Sequence, residues 1–311
     1  MKKLISIVIP AYNEEDVIDE LKKRLQNTMN ICSNYDFEVI IIENGSVDTT
    51  FERLISIHHE DSRFKIIQLS RNFGPDDGIT AGLQYASGDA AVLMNADLQD
   101  PPEIIPQFIQ KWESGYEIVY AVIQKREGVS AIRRFVSRVA YLIIFKLSNS
   151  MIPENACDFR LIDNKVYKII NTLKEKKKFL RGLIVWTGFK QIGIPFERQP
   201  RFAGKSKGSF LSAWDLAMNG IFSFSYFPLK IATLLGFCLS SLAFIIAIFE
   251  IYLYLLHGIE VPGFTTIILT ILFCFGMVFL IFGIMGSYIE RIYDEVKQRP
   301  NFIIKNEIGF K

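Results

Sequence analysis

Histidine is nearly missing from this sequence. The 311 residues include three, of which His58 and His59 are neighbours in a polar stretch of helical character. A histidine-ligated metal or a histidine general base is therefore not expected. The four cysteines (Cys32, Cys157, Cys238 and Cys274) are scattered and form no CxxC pair. That fits packing roles in a reducing compartment. Net charge is small too: 35 Lys and Arg against 33 Asp and Glu leave +2, unevenly spread, so nucleic acid is not an expected partner. What is abundant is apolar: 26 Phe and a hydrophobic share of 50% hint at membrane contact, and the length suffices for one sizeable core and a second, smaller unit. "MKKLISIVIP" opens like a signal peptide, but its apolar run is short and "AYNEED" follows with no small-residue cleavage site, so it reads as a buried first strand.

Four short apolar runs rich in β-branched residues, 4–9, 38–42, 64–69 and 90–94, alternate with helix-length stretches at 14–30, 48–60 and 78–87. Strand, helix, strand, repeated, predicts an α/β fold with a mainly parallel, Rossmann-like sheet covered on both faces. The strands end in "PAYNEE", "ENGSVD", "SRNFG" and "NADLQD". Ligands of open α/β sheets bind outside the carboxyl ends of the strands. One polar loop is unremarkable; four in succession at one edge predict a binding site.

The last third changes character. Residues 229–256 and 264–288 each exceed the roughly 20 apolar residues that span a bilayer. Lys230 precedes the first, Arg291, Lys297, Arg299 and Lys305 follow the second, and the short link "HGIEVPG" has no Lys or Arg. The positive-inside rule then places both ends, and the domain before them, in the cytoplasm. Residues 129–147 and 211–227 have the pattern of helices lying on a membrane surface, a pattern core helices share. The expected domains are 1–210 catalytic, 211–228 juxtamembrane, 229–288 a two-helix membrane hairpin, and 289–311 a cytoplasmic tail whose residues 300–311 are disordered.

If the chain stays extended through "NADLQ", Asn95, Asp97 and Gln99 point one way. One carboxylate and two amide oxygens suit Mg²⁺ or Mn²⁺ shared with the phosphates of a nucleotide diphosphate. A helix cap is the competing reading, since Pro-Pro-Glu follows. "RFAGKSKGS" (201–209) resembles the end of a Walker loop, but Gln199 stands where its first glycine belongs, so a P-loop is rejected in favour of a basic flap or a solvated loop.

Taken together, "IVIPAYNEE" (7–15), "LSRNFG" (69–74), "TAGL" (80–83), "NADLQDPPE" (95–103), "DFRLID" (158–163), "RGLIVWTGF" (181–189), "RFAGKSK" (201–207) and "GSYIERIYDEVKQRPNF" (286–302) resemble the family 2 glycosyltransferases of GT-A fold that act on polyprenyl phosphates. Within these the chain is similar to the bactoprenol-phosphate glycosyltransferases and, more distantly, to dolichol-phosphate mannose synthase. The resemblance covers nearly the whole chain.

It implies a nucleotide-sugar donor bordered by Pro10, Tyr12, Asn13, Glu14, Glu43, Asn44, Ser70, Asn72, Asn95 and Ala96. Asp97 and Gln99, with Asn95 as a further oxygen, would hold Mg²⁺ or Mn²⁺ on the donor diphosphate. Asp158 stands at the candidate catalytic carboxylate, beside Asp97. Arg201, Lys205, Ser206 and Lys207, and more weakly Arg126, Arg133 and Arg134, would grip donor or acceptor phosphates. The implied acceptor is undecaprenyl phosphate at the inner membrane, UDP-glucose is the prior donor, and homo-oligomers are expected. The chain departs from the family at Asn95, where the pattern has Asp, and at "ENGS" (43–46), where it has Asp-Asp-Gly-Ser. Those departures leave room for a catalytically silent membrane scaffold that binds a nucleotide sugar or partner transferases. A processive polysaccharide synthase is disfavoured, because more spans and a QxxRW-type motif would be needed.

Overall fold

The computed structural model of the chain describes residues 2–124, 156–176, 178–198, 227–257 and 263–310. The four apolar runs are strands: β1 (Leu4–Ala11), β2 (Asp36–Glu43), β3 (Phe64–Leu69) and β4 (Ala90–Leu93). Between them lie α1 (Ile18–Ile31), α2 (Thr50–Glu60) and α3 (Pro75–Tyr85). Then follow α4 (Ile105–Glu113), β5 (Ile118–Ile123), β6 (Ala156–Asp163), α5 (Asn164–Thr172), α6 (Leu180–Trp186) and β7 (Gln191–Phe196). Together with β8 (Ile304–Ile308) they form one sheet of order β7-β5-β6-β4-β1-β2-β3-β8. Pairs β3/β2, β2/β1, β1/β4 and β5/β7 are parallel; β6 runs antiparallel to both β4 and β5, and β8 antiparallel to β3.

The strands read as continuous apolar runs because both faces are covered. Ile7, Ile9, Val39, Ile41, Val92, Phe159 and Leu161 pack under α1, α2 and α4. Val8, Ile40, Ile42, Leu93 and Ile162 pack under α3, α5 and α6, through Ile79, Leu83, Val166, Ile170, Leu180 and Ile184. This alternation fixes which residues reach which face at the carboxyl edge, where the helix-bound loops begin.

The chain divides into two compact units, one of Met1–Gly220 with Pro300–Lys311, the other of Ile221–Arg299. The second holds α7 (Phe227–His257) and α8 (Phe264–Lys297). The windows Leu229–Ile246 and Phe273–Lys297 are long and apolar enough to cross a membrane, and 6% and 0% of them are buried, unlike the core helices of a soluble protein. The candidate surface helices at 129–147 and 211–227 lie outside the described residues.

One segment differs from the sequence reading: residues 300–311 are not a disordered tail, and α8 itself runs on to Lys297. Alternating Phe302, Ile304 and Phe310 pack on the α3 side of the sheet, Ile303 O accepts from Ser70 N at 2.9 Å, and Tyr85 Oη donates to Glu307 at 2.6 Å. A sheet edge left bare is a liability, and this segment covers that of β3. Deleting residues 300–311 is expected to cost about 3 kcal/mol from three lost apolar contacts; a thermal melt of the truncated protein should show a clearly lower midpoint, and an unchanged one would contradict the assignment.

Candidate active site

The loops after β1 and β2 are laced together. Asn13, in the left-handed region at φ 52°, accepts Val47 N on Oδ1 at 2.9 Å and donates its own N to Ser46 Oγ at 3.0 Å. Glu14 N donates to Thr50 Oγ1 at 2.9 Å. Gly45, at φ 71°, presses on the loop after β3: a Cβ there would sit 2.5 Å from Arg71 C. Only glycine fits both conditions. Pro10 and Tyr12 flank this lacing at the end of β1.

Asn44 latches the next loop. Its Oδ1 accepts from Phe73 N at 3.0 Å and its Nδ2 donates to Gly74 O at 2.9 Å. Asn72 Oδ1 accepts from Gly74 N at 2.8 Å, while the Ser70 backbone is held by Ile303. Asn44 is thus committed, and nearly buried, as the clasp between β2 and the start of α3. An aspartate could accept from Phe73 N but could not donate to Gly74 O, which is a physical reason for the amide. Glu43 is wholly buried, with one carboxylate oxygen accepting from Ser46 N and Oε2 left without a hydrogen-bond partner.

The stretch after β4 is a turn, which corrects the extended reading of 95–99. Leu98 adopts φ 58° and buries its side chain in the core, a left-handed conformation that costs a leucine about 1–2 kcal/mol. Asn95 therefore does not line up with Asp97 and Gln99 by strand alternation. It turns to Asp100 instead: Asn95 N and Nδ2 both donate to Asp100 Oδ2, at 3.2 and 3.1 Å. Asp100 is 1% exposed, burial pushes its carboxyl up to about 6, and its Oδ1 has no hydrogen-bond partner. Burying Asp100 next to another carboxylate would be costly. Hence Asn95→Asp is expected to lose about 1–3 kcal/mol of stability, against about 1 kcal/mol for Asn95→Ala, in paired denaturant melts at pH 8. Ala96 packs its side chain in the core.

Asp97 is 7% exposed and its Oδ1 accepts from Gln99 N at 3.2 Å. Among the described residues no three His, Cys, Asp or Glu side chains gather closely enough to hold a metal by themselves. A hard carboxylate and a nearby amide oxygen fit a divalent cation shared with phosphate oxygens, rather than an all-protein cage.

On the α3 face of the sheet stands a cluster that the sequence reading named only in part. Cys157, Phe159 and Leu161 belong to the opposite core, so Asp158, Arg160 and Ile162 alternate onto the α3 face. Leu93 pairs with Val8 on one side and Arg160 on the other, so Asn95, just past the end of β4, emerges between the carboxyl end of β1 and the Asp158 end of β6. Arg181, at the start of α6, grips Asp158 with two parallel bonds, Nε to Oδ1 at 2.9 Å and Nη2 to Oδ2 at 2.7 Å. Burial acts to raise the Asp158 carboxyl, but Arg181, Arg160 and Arg198 outweigh it and hold the group below the usual carboxylate range. Arg160 is 2% exposed and donates to Cys157 O at 2.7 Å. At the first turn of α3, burial and then Asp158 push Asp76 up to about 7, against Arg181 and Arg160. Burial likewise lifts Asp77 to about 6, opposed by Lys178 and Arg71.

The structure thus brings Pro10, Tyr12, Asn13, Glu14, Glu43, Asn44, Ser70, Asn72, Asn95, Ala96, Asp97, Gln99 and Asp158 to one edge. Arg126, Arg133, Arg134, Arg201, Lys205, Ser206 and Lys207 lie outside the described residues. Arg160, Arg181 and Asp76 were not singled out, although each sits in or beside a motif quoted for the resemblance. Alternation along "DFRLID" was the available signal for Arg160; nothing in the sequence pairs Arg181 with Asp158.

Comparison with known proteins places this edge in context. The Glycosyl transferase family 2 profile matches residues 6–170. An uncharacterized glycosyltransferase of Synechocystis is 39% identical over 99% of this chain and 96% of its own length. The bactoprenol glucosyl transferase of Shigella phage SfV is 36% identical over 97% and 98%. Among solved structures, glucosyl-3-phosphoglycerate synthase from Mycobacterium tuberculosis, determined with Mn²⁺, UDP-glucose and phosphoglyceric acid, shares the fold at 17% identity, with a TM-score of 0.50 over 76% of this chain and 80% of that one.

Proposed function

The chain belongs to glycosyl transferase family 2, and from that premise we propose that it moves a sugar from a nucleotide-sugar donor to the phosphate of a polyprenyl lipid at the cytoplasmic face of a bacterial inner membrane. The observation that carries this reading is the span of the similarity. Bactoprenol glucosyl transferases match over both the sheet domain and the two long apolar helices, not over the sheet alone. UDP-glucose is the first donor to try, undecaprenyl phosphate the first acceptor.

The chemistry asks little of a base. A polyprenyl phosphate is already an anion at neutral pH. Its oxygen attacks the anomeric carbon, the carbon–oxygen bond to the diphosphate breaks, and the electron pair leaves with the nucleoside diphosphate, inverting the anomeric centre. Asp97 and Gln99 would hold a divalent cation, Mg²⁺ or Mn²⁺, on the donor. When bound, such an ion neutralises charge on the departing diphosphate. Asp158, ionised and held by the Arg181 fork, orients substrate or faces positive charge developing on the sugar. Glu43, at the end of β2, would border the nucleoside. Arg201, Lys205, Ser206 and Lys207, with Arg126, Arg133 and Arg134, meet the phosphates.

The helices α7 and α8 would anchor the chain in the bilayer that holds the acceptor's lipid tail, with both chain ends cytoplasmic. Homo-oligomers are part of this reading. Asn95, which pointed to a silent scaffold, has a use here that does not require inactivity: it satisfies Asp100. Nucleotide release tests the reading. Full-length protein in nanodiscs should liberate nucleoside diphosphate from a sugar nucleotide only when undecaprenyl phosphate is present; release indifferent to the lipid would contradict the acceptor.

A further inference from the structure

Asp158 is the carboxylate that the motif offers for contact with the sugar, yet both its oxygens are gripped by the Arg181 fork at 2.9 and 2.7 Å. A second carboxylate shares that corner. Asp76 lies on the first turn of α3, and three observations place this turn over the site. Asn44 Nδ2 holds Gly74 O two residues earlier at 2.9 Å. A Cβ at Gly78, two residues later, would lie 3.2 Å from Pro10 Cβ and 3.6 Å from Asn44 Nδ2. Asp158 and Arg160 alternate onto the face that α3 covers. Among the described residues the Asp76 carboxylate makes no hydrogen bond and no ion pair. Asp158, Arg181, Arg160 and the adjacent Asp77 are the charges that act on it.

We propose, resting on the function above, that Asp76 is a further substrate-contacting residue, whose carboxylate hydrogen-bonds hydroxyl groups of the sugar being transferred and so selects the donor sugar. The chemistry fits. A half-buried carboxylate that no protein group pairs leaves its oxygens open to donors on a ligand. Sugar hydroxyls donate to such oxygens. Sites that hydrogen-bond a substrate hydroxyl discriminate sharply against donors in which it is moved or replaced. The competing role for Asp76 is to favour the start of α3 through the helix dipole, a service that Asp77 in the same turn also supplies.

The experiment measures kcat/KM for UDP-glucose, UDP-galactose, UDP-N-acetylglucosamine and GDP-mannose, with undecaprenyl phosphate and Mn²⁺, on full-length wild type, Asp76→Asn and Asp76→Ala in nanodiscs. Inhibition by plain UDP is measured beside it, since UDP binds without a sugar. For Asp76→Ala, kcat/KM for the wild type's preferred donor should fall about ten- to a hundred-fold and the preference among sugars should flatten. The inhibition constant for UDP should stay within about twofold, and Asp76→Asn should fall between the two. A preserved order of sugar preference would overturn the inference while leaving the transferase reading intact. A parallel weakening of UDP would also overturn it, assigning Asp76 to holding the loop. A wild type that transfers from none of these donors, nor from dTDP- and CDP-sugars, would contradict the transferase reading and take this inference with it.

Discussion

Replacing Asp97 by alanine should abolish transfer, a loss of about a thousand-fold or more, whereas Asn95→Ala should keep a measurable fraction of the wild-type rate. The difference follows from what each side chain faces. Asp97 is the one carboxylate of the "NADLQ" turn whose position suits a cation shared with the donor's phosphates, and losing it removes stabilisation of charge that develops only as the diphosphate leaves. Asn95 spends its amide on Asp100, so alanine there costs turn order rather than charge. Initial rates at saturating donor and acceptor, over a Mn²⁺ titration, separate the two. Asp97→Ala should stay silent at every concentration, and Asn95→Ala should respond to added metal. Equal, mild losses in both would sink the assignment of the cation to Asp97.

The second large effect is expected at Arg181. With alanine there, Asp158 loses both fork bonds and the charge that counters its burial. Its side chain is 44% exposed, so the stability cost is modest, about 1 kcal/mol. The catalytic cost is larger, because a carboxylate that has lost its orienting partner no longer meets the sugar at one angle; about a hundred-fold in kcat/KM is expected. The pH profile carries the signature. In the wild type Asp158 titrates below the ordinary carboxylate range, and the stability it contributes is present above the unfolded-state pKa and lost as pH falls through the depressed folded value. Removing Arg181 lets burial lift the group, so the acid limb of the kcat/KM profile should move to higher pH. Arg181→Lys keeps the charge but not the fork, and should restore the acid limb more fully than the rate. An unmoved acid limb in Arg181→Ala would show that Asp158 is not the titrating group.

The outline of the sheet was legible because its physics is local. Runs such as LISIVI and EVIII can only be strands buried on both faces, and polar loops after four of them mark the carboxyl edge without reference to any partner. The two long apolar helices were legible for the same reason. What was not legible depends on contacts between distant segments. Ile304–Ile308 looked like a loose tail because its five residues gain order only from pairing with β3, more than 230 positions away. The Asn95–Asp100 pair was hidden because it forms only once Leu98 turns left-handed. That Asn44 also clasps the loop after β3 was not legible, because its partners Phe73 and Gly74 lie about 30 positions away. Arg181 was quoted inside a motif, but its fork on Asp158 needs α6 folded against β6.

The central claim is that this edge glycosylates a lipid phosphate. The most direct measurement is the mass spectrum of lipid extracted from nanodiscs after incubation with undecaprenyl phosphate, Mn²⁺ or Mg²⁺, and UDP-, GDP-, dTDP- and CDP-sugars in turn. One donor is predicted to add a single sugar residue to the lipid phosphate, with UDP-glucose the first expectation. An unmodified lipid with every donor, beside an active bactoprenol glucosyl transferase run as control, would contradict the account.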